Sequence, residues 1–519
     1  MENIAATTRR AFITGAAAGI AGLSTVALGA GVARATEGAA GVDWAQECDV
    51  LVIGAGGAGM TTAITANREG ADVILVESQS SALTSSTAIC KGHFCVVNSP
   101  EQAEMGVEDS ADLYVEDIKA AGGSVMGAYP SERALYNLDL SRVFAENSAA
   151  GEQFLKDLGF EFPQPYQTSG STVPRTYVID NMHMCELLAQ ACEDEGVKVE
   201  YNTEFERLVI SETGKVLGAL VTDEDGNEQA IKARKATVLA TGSFVRNAEL
   251  VEECMPGLSE MVNMCGFGDT GKGHVAAMSL GAPMWGRQLL YPTEGYGIED
   301  LTATCELCQF GAIVVNEHGS RYMDDGQYWT NDRTRALINQ GKSEKYGCYM
   351  NYTVIDNAMY EQAVATGGPS GLTDKELAYL VSADTIEELA EKIDAPELPA
   401  TVAKYNEDLA NGGDTLFGRT QKNGAGTGDP IPLTEPPFYA WANQPGLEYD
   451  PLTSFIPNAK FQFCNMYDEP LGGDTLYGIG ELILRGHVGN EYMVGSSISS
   501  NIAFGLVLGK QVAELPSWE

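Results

Sequence analysis

The chain is poor in basic residues and in histidine. It carries 32 Lys and Arg against 72 Asp and Glu, a formal net charge of -40, with 5 His. Such a balance repels phosphate backbones, so nucleic acid is excluded as a partner, and the acidity reads as solvation of an exported protein. Cysteine lacks a pattern: the 11 copies are odd in number and irregularly spaced, which argues against a disulfide framework. The lone C-x-x-C, Cys305 to Cys308, is followed by Gln309, so it is not a covalent haem attachment site, and no second pair completes a zinc ribbon. Cys90, Cys95, Cys185 and Cys265 could hold an iron–sulfur cluster if the fold brought them together, because ligand spacing need not be local. Buried small hydrophobes are the favoured reading, and no metal is expected. Beyond the N-terminal segment, no stretch approaches the ~20 apolar residues of a membrane span.

What is present begins with Asp49 to Glu77, DVLVIGAGGAGMTTAITANREGADVILVE. Val50 to Ile53 is a β-branched apolar run suited to a buried parallel strand. Gly54, Gly56 and Gly59 form G-x-G-x-x-G, with Gly57 and Ala58 completing the turn. The first glycine permits the tight turn, the second lets backbone approach a pyrophosphate, and the third lets helix and strand pack closely. The helix start offers free N–H groups and partial positive charge to phosphates. A second apolar run, Val73 to Val76, ends in Glu77, placed to take a ribose hydroxyl. A glycine turn alone is weak evidence. Here the strand before it, the helix after it and the acid agree on an ADP-dinucleotide site, though the motif does not separate FAD from NAD.

A second close approach follows. Ala236 to Leu239 is an apolar strand running into Ala240-Thr241-Gly242. Two separated contacts around one ligand favour FAD, which is long and crosses its domain. Ser80 to Gly92 is rich in small hydroxyl residues that can lie under a flavin. Other expectations are a helix over Asp180 to Gly196 capped by Asp180, a hairpin from Phe205 to Asp223, and a final helix over Ile502 to Glu514.

The N-terminus carries Arg9-Arg10 before Phe12, a small apolar segment from Gly15 to Gly31, and Ala33-Arg34-Ala35 as a cleavage site. This pattern is a twin-arginine export signal, with a membrane anchor as the alternative. The expected location is periplasmic or extracytoplasmic, free or at the membrane. Export of a folded chain suits a protein that loads its cofactor first. The organisation reads as signal peptide over 1–35, linker over 36–48, nucleotide-binding domain over 49–274, inserted cap over 275–440, and return of the first domain over 441–519.

Several segments carry a resemblance: DVLVIGAGGAGM, LATGSF, GDTGKGHVAAMSLGA, AIVVNEHGSRYMDD, ELPATVAKYNEDLANGGDTLFGR followed by PPFYA, and LYGIGELILRG. Together they resemble the flavoprotein subunits of fumarate reductase and succinate dehydrogenase, in the soluble branch that includes urocanate reductase, ketosteroid dehydrogenases and cardiac-glycoside reductases. The resemblance covers about residues 45 to 515. It implies an α/β fold: a Rossmann-like FAD-binding domain with an inserted α+β capping domain. It also implies FAD as cofactor and hydride transfer at an activated carbon–carbon double bond. It assigns Gly54, Gly56, Gly59 and Glu77 to the ADP half and places Ser86, Thr87 and Gly92 along the flavin. Ala240, Thr241 and Gly242 form the second approach, Gly271 and Gly273 the third. Glu481 follows the late strand, and Ser496 and Ser497 sit near the pyrimidine end, where a helix N-terminus favours a reduced flavin anion.

The departures bear on substrate. Fumarate-reducing members clamp two carboxylates with arginines and use another arginine as proton donor. Counting back from Phe504-Gly505 puts Tyr492 at the last clamp, and Thr330-Asn331-Asp332 puts Asn331 at the donor, with Arg333 two residues on. Phe455 to Cys464 contains no histidine, where the family has one. The expected reaction is therefore reduction of an enone, lactone or acrylate, with fumarate disfavoured. Arg333 and Tyr492 are the candidates for catalysis, with Tyr328 and His487 in reserve. Partners are a small unsaturated substrate and an external electron donor, a cytochrome or small redox protein. The alternatives are a ketosteroid dehydrogenase running in reverse and an FAD-dependent oxidase.

Overall fold

The computed structural model describes residues 41–123, 136–168, 170–263, 265–286, 292–299, 307–327, 331–367, 371–420, 429–447, 453–488 and 493–518. The first sheet is built on β1 (Trp44–Ile53), β2 (Val73–Val76), β5 (Lys198–Glu200), β6 (Glu204–Ile210), β7 (Val216–Thr222) and β8 (Glu228–Leu239). Its order is β5-β2-β1-β8-β7-β6, with β15 (Leu476–Gly478) beside the end of β8. β1 begins at Trp44, inside the stretch read as linker. β1, β2, β5, β15 and the second half of β8 run parallel. β6, β7 and the first half of β8 form an antiparallel meander. Val50–Ile53 and Val73–Val76 are buried throughout, as expected of strands covered on both faces.

Helix α1 (Gly57–Arg68) connects β1 to β2. The last helix of the chain, α6 (Ser496–Ala513), packs on α1 where side chains are smallest. A Cβ at Gly505 would lie 2.6 Å from the Cβ of Thr61, and one at Gly509 would lie 2.5 Å from that of Thr65. Two glycines one turn apart thus let the axes approach, as in other close helix pairs. The Thr61 and Thr62 hydroxyls donate back to Gly57 O and Ala58 O, so neither is left unsatisfied in the contact. α6 begins at Ser496, six residues before the expected Ile502. Its serines turn inward and donate to carbonyls three or four residues back: Ser496 to Met493, Ser499 to Gly495 and Ser500 to Ser497. That local bonding leaves none of the three hydroxyls unsatisfied inside the helix.

Two further pieces frame the site. β3 (His93–Cys95) and β4 (Thr176–Val178) form a two-stranded sheet. α2 (Leu138–Asp157) and α3 (Asn181–Asp194) lie in the first domain, and the Asp180 carboxylate accepts from His183 N, the cap the sequence predicts. The second sheet contains β9 (Val262–Asn263), β10 (Pro292–Gly297), β11 (Ile313–Val315), β12 (Asn351–Ile355), β13 (Val381–Ala383) and β14 (Phe438–Leu447). It has its own core, with Val314, Val354, Ile355, Leu389, Leu398 and Trp441 buried. A smaller cluster of Phe244, Val251, Cys265, Leu337 and Leu447 lies between the two cores. Among the described residues, no helix is long and apolar enough to cross a membrane.

Candidate FAD site

The parallel strands end level with one another. Ile53 is in register with Val76 and with Leu239, and Leu239 with Gly478. Ligands of such sheets bind beyond the carboxyl ends of the strands, and the expected cofactor residues lie there. Gly54 N donates to Val76 O, Ala240 N to Ile53 O, and Ile479 N to Leu239 O, so the three segments leaving the sheet are stitched together.

The glycines are required by contact. Gly54 has φ +106° and a Cβ there would lie 2.3 Å from Ala240 O. A Cβ on Gly59 would lie 1.8 Å from Gly54 O. Gly56 is the N-cap of α1 and offers no side-chain cap, leaving the helix start to a ligand. Gly57 N donates to Thr87 Oγ1, and Ala58 is buried just inside the helix. The Glu77 carboxylate is buried beside this turn. It accepts from Ala55 N at 2.7 Å and Gln79 N at 2.9 Å, and an ionised carboxylate has lone pairs left for a ribose hydroxyl.

One residue not singled out from sequence joins the remaining segments. Buried Asp269 accepts from Ser86 Oγ at 2.5 Å and from Ser243 N at 3.1 Å. Its carboxylate occupies the space a Cβ on Gly242 would need. Ser86 Oγ in turn accepts from Gly266 N. Gly271 caps α4 (Lys272–Ser279) with φ +76°, and Gly273 leaves room for Thr241 Oγ1 at 2.0 Å from its missing Cβ. Gly92 has φ +73° and sits against Ile179 O. Asn181 Nδ2 gathers the carbonyls of Thr87, Ala88 and Cys90. Ser86, Thr87 and Gly92 therefore belong to one braced loop. On the far side, Gly480 abuts Ala58 and Asn501, with Glu481 half-buried next to it. Gly495 caps α6, Ser496 is buried and Ser497 half-buried in its first turn.

These residues fit FAD. Two buried polar atoms in the cradle, Thr241 Oγ1 and Asn501 Oδ1, have no hydrogen-bond partner among the described residues. Orphans of this kind are rare in native folds and point to a ligand or water. Asp269→Ala tests the bracing. Losing the acceptor for Ser86 and Ser243 is expected to cost about 2–3 kcal/mol, or about 30- to 150-fold in FAD dissociation constant. Fluorescence of released FAD measures it, and an unchanged constant removes Asp269 from the cradle.

The candidates for catalysis are less exposed to view. Arg333 falls in the first turn of α5 (Asn331–Gln340), but its side chain lies outside the described residues, as do Tyr328 and Tyr492. His487 does not fit its reserve role. It is a core residue packed between Phe144 and Phe504, and burial pushes its pKa down to about 3. The four cysteines do not converge. Cys95 and Cys185 lie in the first core, Cys265 lies in the cluster between the cores and donates to Leu447 O, and Cys90 donates to Thr87 O. Among the described residues, no three His, Cys, Asp or Glu side chains are grouped to hold a metal ion.

Comparison with known proteins agrees with this geometry. The family model described as FAD binding domain matches residues 49–449. The chain is 26% identical over 477 residues to the probable fumarate reductase Ifc3 of Shewanella frigidimarina, covering 90% of this chain and 75% of that protein. It is 26% identical over 539 residues to digoxin reductase of Eggerthella lenta, covering 92% and 89%. Among solved structures, the open conformation of a flavocytochrome c3 fumarate reductase superposes with a TM-score of 0.73 at 26% identity, covering 91% of this chain and 79% of that one. The chain belongs to the FAD binding domain family, as an FAD-dependent oxidoreductase similar to reductases named for fumarate and digoxin.

Proposed function

We propose that this chain is an exported FAD-dependent reductase of an activated double bond in an enone, lactone or acrylate, and that fumarate is a poor substrate. The observation that carries the reading is the cradle fitted to FAD, and the family resemblance implies arginines at the positions that Asn331 and Tyr492 take here. When bound and reduced, FAD would supply the hydride that the β-carbon accepts. The protein's task is to hold the acceptor carbonyl, whose oxygen gains negative charge and needs donors aimed at it. It must also deliver a proton to the α-carbon. Arg333 and Tyr492 are assigned these two roles between them. Loss of clamping arginines in favour of Tyr and Asn suits a larger, less charged substrate. That a relative in the same family is named for digoxin supports a bulky ring system. The twin-arginine segment supports export, and electron supply is assigned to an external carrier.

The experiment follows reoxidation of reduced methyl viologen, without oxygen, against fumarate, urocanate, cinnamates, an enone steroid and an unsaturated lactone steroid. Turnover is expected on a bulky enone or acrylate and absent on fumarate. Arg333→Gln is expected to lower kcat by about 100-fold or more, the scale of one lost electrostatic donor. Fast turnover on fumarate overturns the substrate reading.

A further inference from the structure

We propose that the surface patch of Ile89, Tyr166, Val178 and Met182 is the docking face for a small basic one-electron carrier protein that exchanges electrons with FAD in the cradle. The proposal rests on the reading above, in which electrons arrive from a separate protein.

Large apolar side chains at the surface are unremarkable singly and meaningful when grouped. Here four residues from three neighbouring segments are 45%, 40%, 53% and 37% exposed, in the order named. The fold draws their segments together. Val178 lies opposite His93 in the β3–β4 pair, and Tyr166 bridges Thr176 on the other edge of β4. Directly opposed residues share a sheet face, and so do alternate residues of one strand, which puts Tyr166 and Val178 on one side. Asn181 then ties the start of α3, where Met182 follows it, to the carbonyls around Ile89.

The patch is backed by the cofactor cradle. Ile89 ends the short helix Ser86–Ile89. Two residues earlier, Thr87 Oγ1 accepts from Gly57 N at the dinucleotide turn and from Asn501 Nδ2. One short helix therefore separates the exposed Ile89 from the site. Its rim is more acidic than basic: Glu161, Asp180 and Glu186 are exposed beside it, against exposed His183 and half-buried Lys91, on a chain of net charge -40. A small apolar centre with a charged rim is the form of a transient redox encounter, where charge steers approach and the apolar centre sets contact. The carrier's complementary rim must be basic. Saturating one double bond takes two electrons and two protons. Two carriers each give up one electron, and the protons come from water.

The test runs electrons the other way, without substrate. Protein with photoreduced FAD is mixed anaerobically with oxidised cytochrome c, a small basic haem protein, and two cytochromes are reduced per FAD. The rate is expected to saturate and to fall with added salt, since screening shortens to about 8 Å at physiological ionic strength. Val178→Lys and Met182→Lys are each expected to slow it about tenfold or more at low salt. Tyr467→Lys, at an exposed turn elsewhere, makes the same charge change and is expected to leave the rate within about twofold, the usual surface outcome. A small dye, dichlorophenol indophenol, should oxidise all four proteins equally. The proposal is overturned if unmodified protein shows no salt-dependent saturation, if the patch variants match Tyr467→Lys, or if the dye reaction slows with them. Normal, patch-dependent cytochrome reduction with no turnover of any unsaturated compound sinks the reductase reading and leaves the docking face standing.

Discussion

Gly59→Ala is expected to give a folded protein that does not retain FAD. Position 59 lies inside α1, where alanine is the better helix former by about 1 kcal/mol. Propensity alone therefore favours the substitution. Contact reverses the sign. The new Cβ would lie 1.8 Å from Gly54 O and 3.3 Å from the Ala240 Cβ. Gly54 cannot give way, because its own φ of +106° and its contact with Ala240 O fix it between two strands. α1 must instead retreat from the sheet, carrying its N–H groups away from the pyrophosphate. Overpacking of this kind costs about 1–3 kcal/mol in a core that can adjust, and this site has no flexible side chain to move. The measurement is the flavin-to-protein absorbance ratio of the purified variant. Gly70→Ala is the control. Its φ of +87° imposes a backbone strain that position 59 lacks, yet nothing lies within 4 Å of the added Cβ. It is expected to keep a full complement of FAD at slightly reduced stability. Stoichiometric FAD in Gly59→Ala would show that the turn tolerates displacement and would undo the close-approach argument.

The dinucleotide turn was legible because its signals are local. Strand period, glycine spacing and the terminal Glu77 all fall within one βαβ unit, so chain order alone places them together. The LATGS segment was legible for the same reason. β8 was visible only from Ala236, because Glu228–Arg234 alternates charged and small residues after a turn of Asp and Gly, and reads as hairpin loop. Its first half is a strand because β1 and β7 flank it. β14 was missed because Phe438–Leu447 carries Pro445 and Gly446, which demote a strand by pattern. Here they fall where the pairing passes to β9 and β10 at the end of the strand. Asp269 and Asn501 could not be assigned in advance. Asp269 stands in a turn where acids are common, and its value comes from meeting Ser86 and Ser243 in three dimensions. Asn501 looked like one more polar residue in a serine-rich stretch. The G-D-T-G resemblance was the one signal that could have drawn attention to Asp269.

The two domains differ in how they are held, and the cap's weak point is ionic. Arg321→Met is expected to unfold the cap while leaving the FAD-binding domain intact. Arg321 is buried and donates from Nε to Asp325 Oδ2 at 2.7 Å. Its two terminal nitrogens take both oxygens of Asp414 at 3.0 Å, a bidentate fork. Tyr405 lies under the guanidinium at 4.8 Å. Arg419, also buried, reaches Asp325 Oδ2 at 3.5 Å and Ala312 O at 3.0 Å. The assembly ties β11, the loop after it, and the segment following the helix Leu398–Ala410. Removing Arg321 leaves two carboxylates facing one arginine in the interior. Breaking a buried pair from one side costs about 3–5 kcal/mol, because the remaining charge stays desolvated. Arg321→Lys should recover little of this, since an ammonium cannot reproduce the fork. Acid should act in the same direction. Burial alone would raise the Asp414 pKa, but its bonds to Arg321 outweigh this and hold it below the ordinary range. Its stabilising contribution is therefore complete above the unfolded carboxylate pKa and is lost as pH falls through the lower folded value. Hydrogen exchange is the measurement that separates the domains. In Arg321→Met, β11 and β12 should exchange early while β1 and β8 stay protected, and the wild-type cap should behave likewise in acid. Uniform exchange across both sheets would mean that the two domains unfold as one unit and that the ionic cluster does not set the cap's stability on its own.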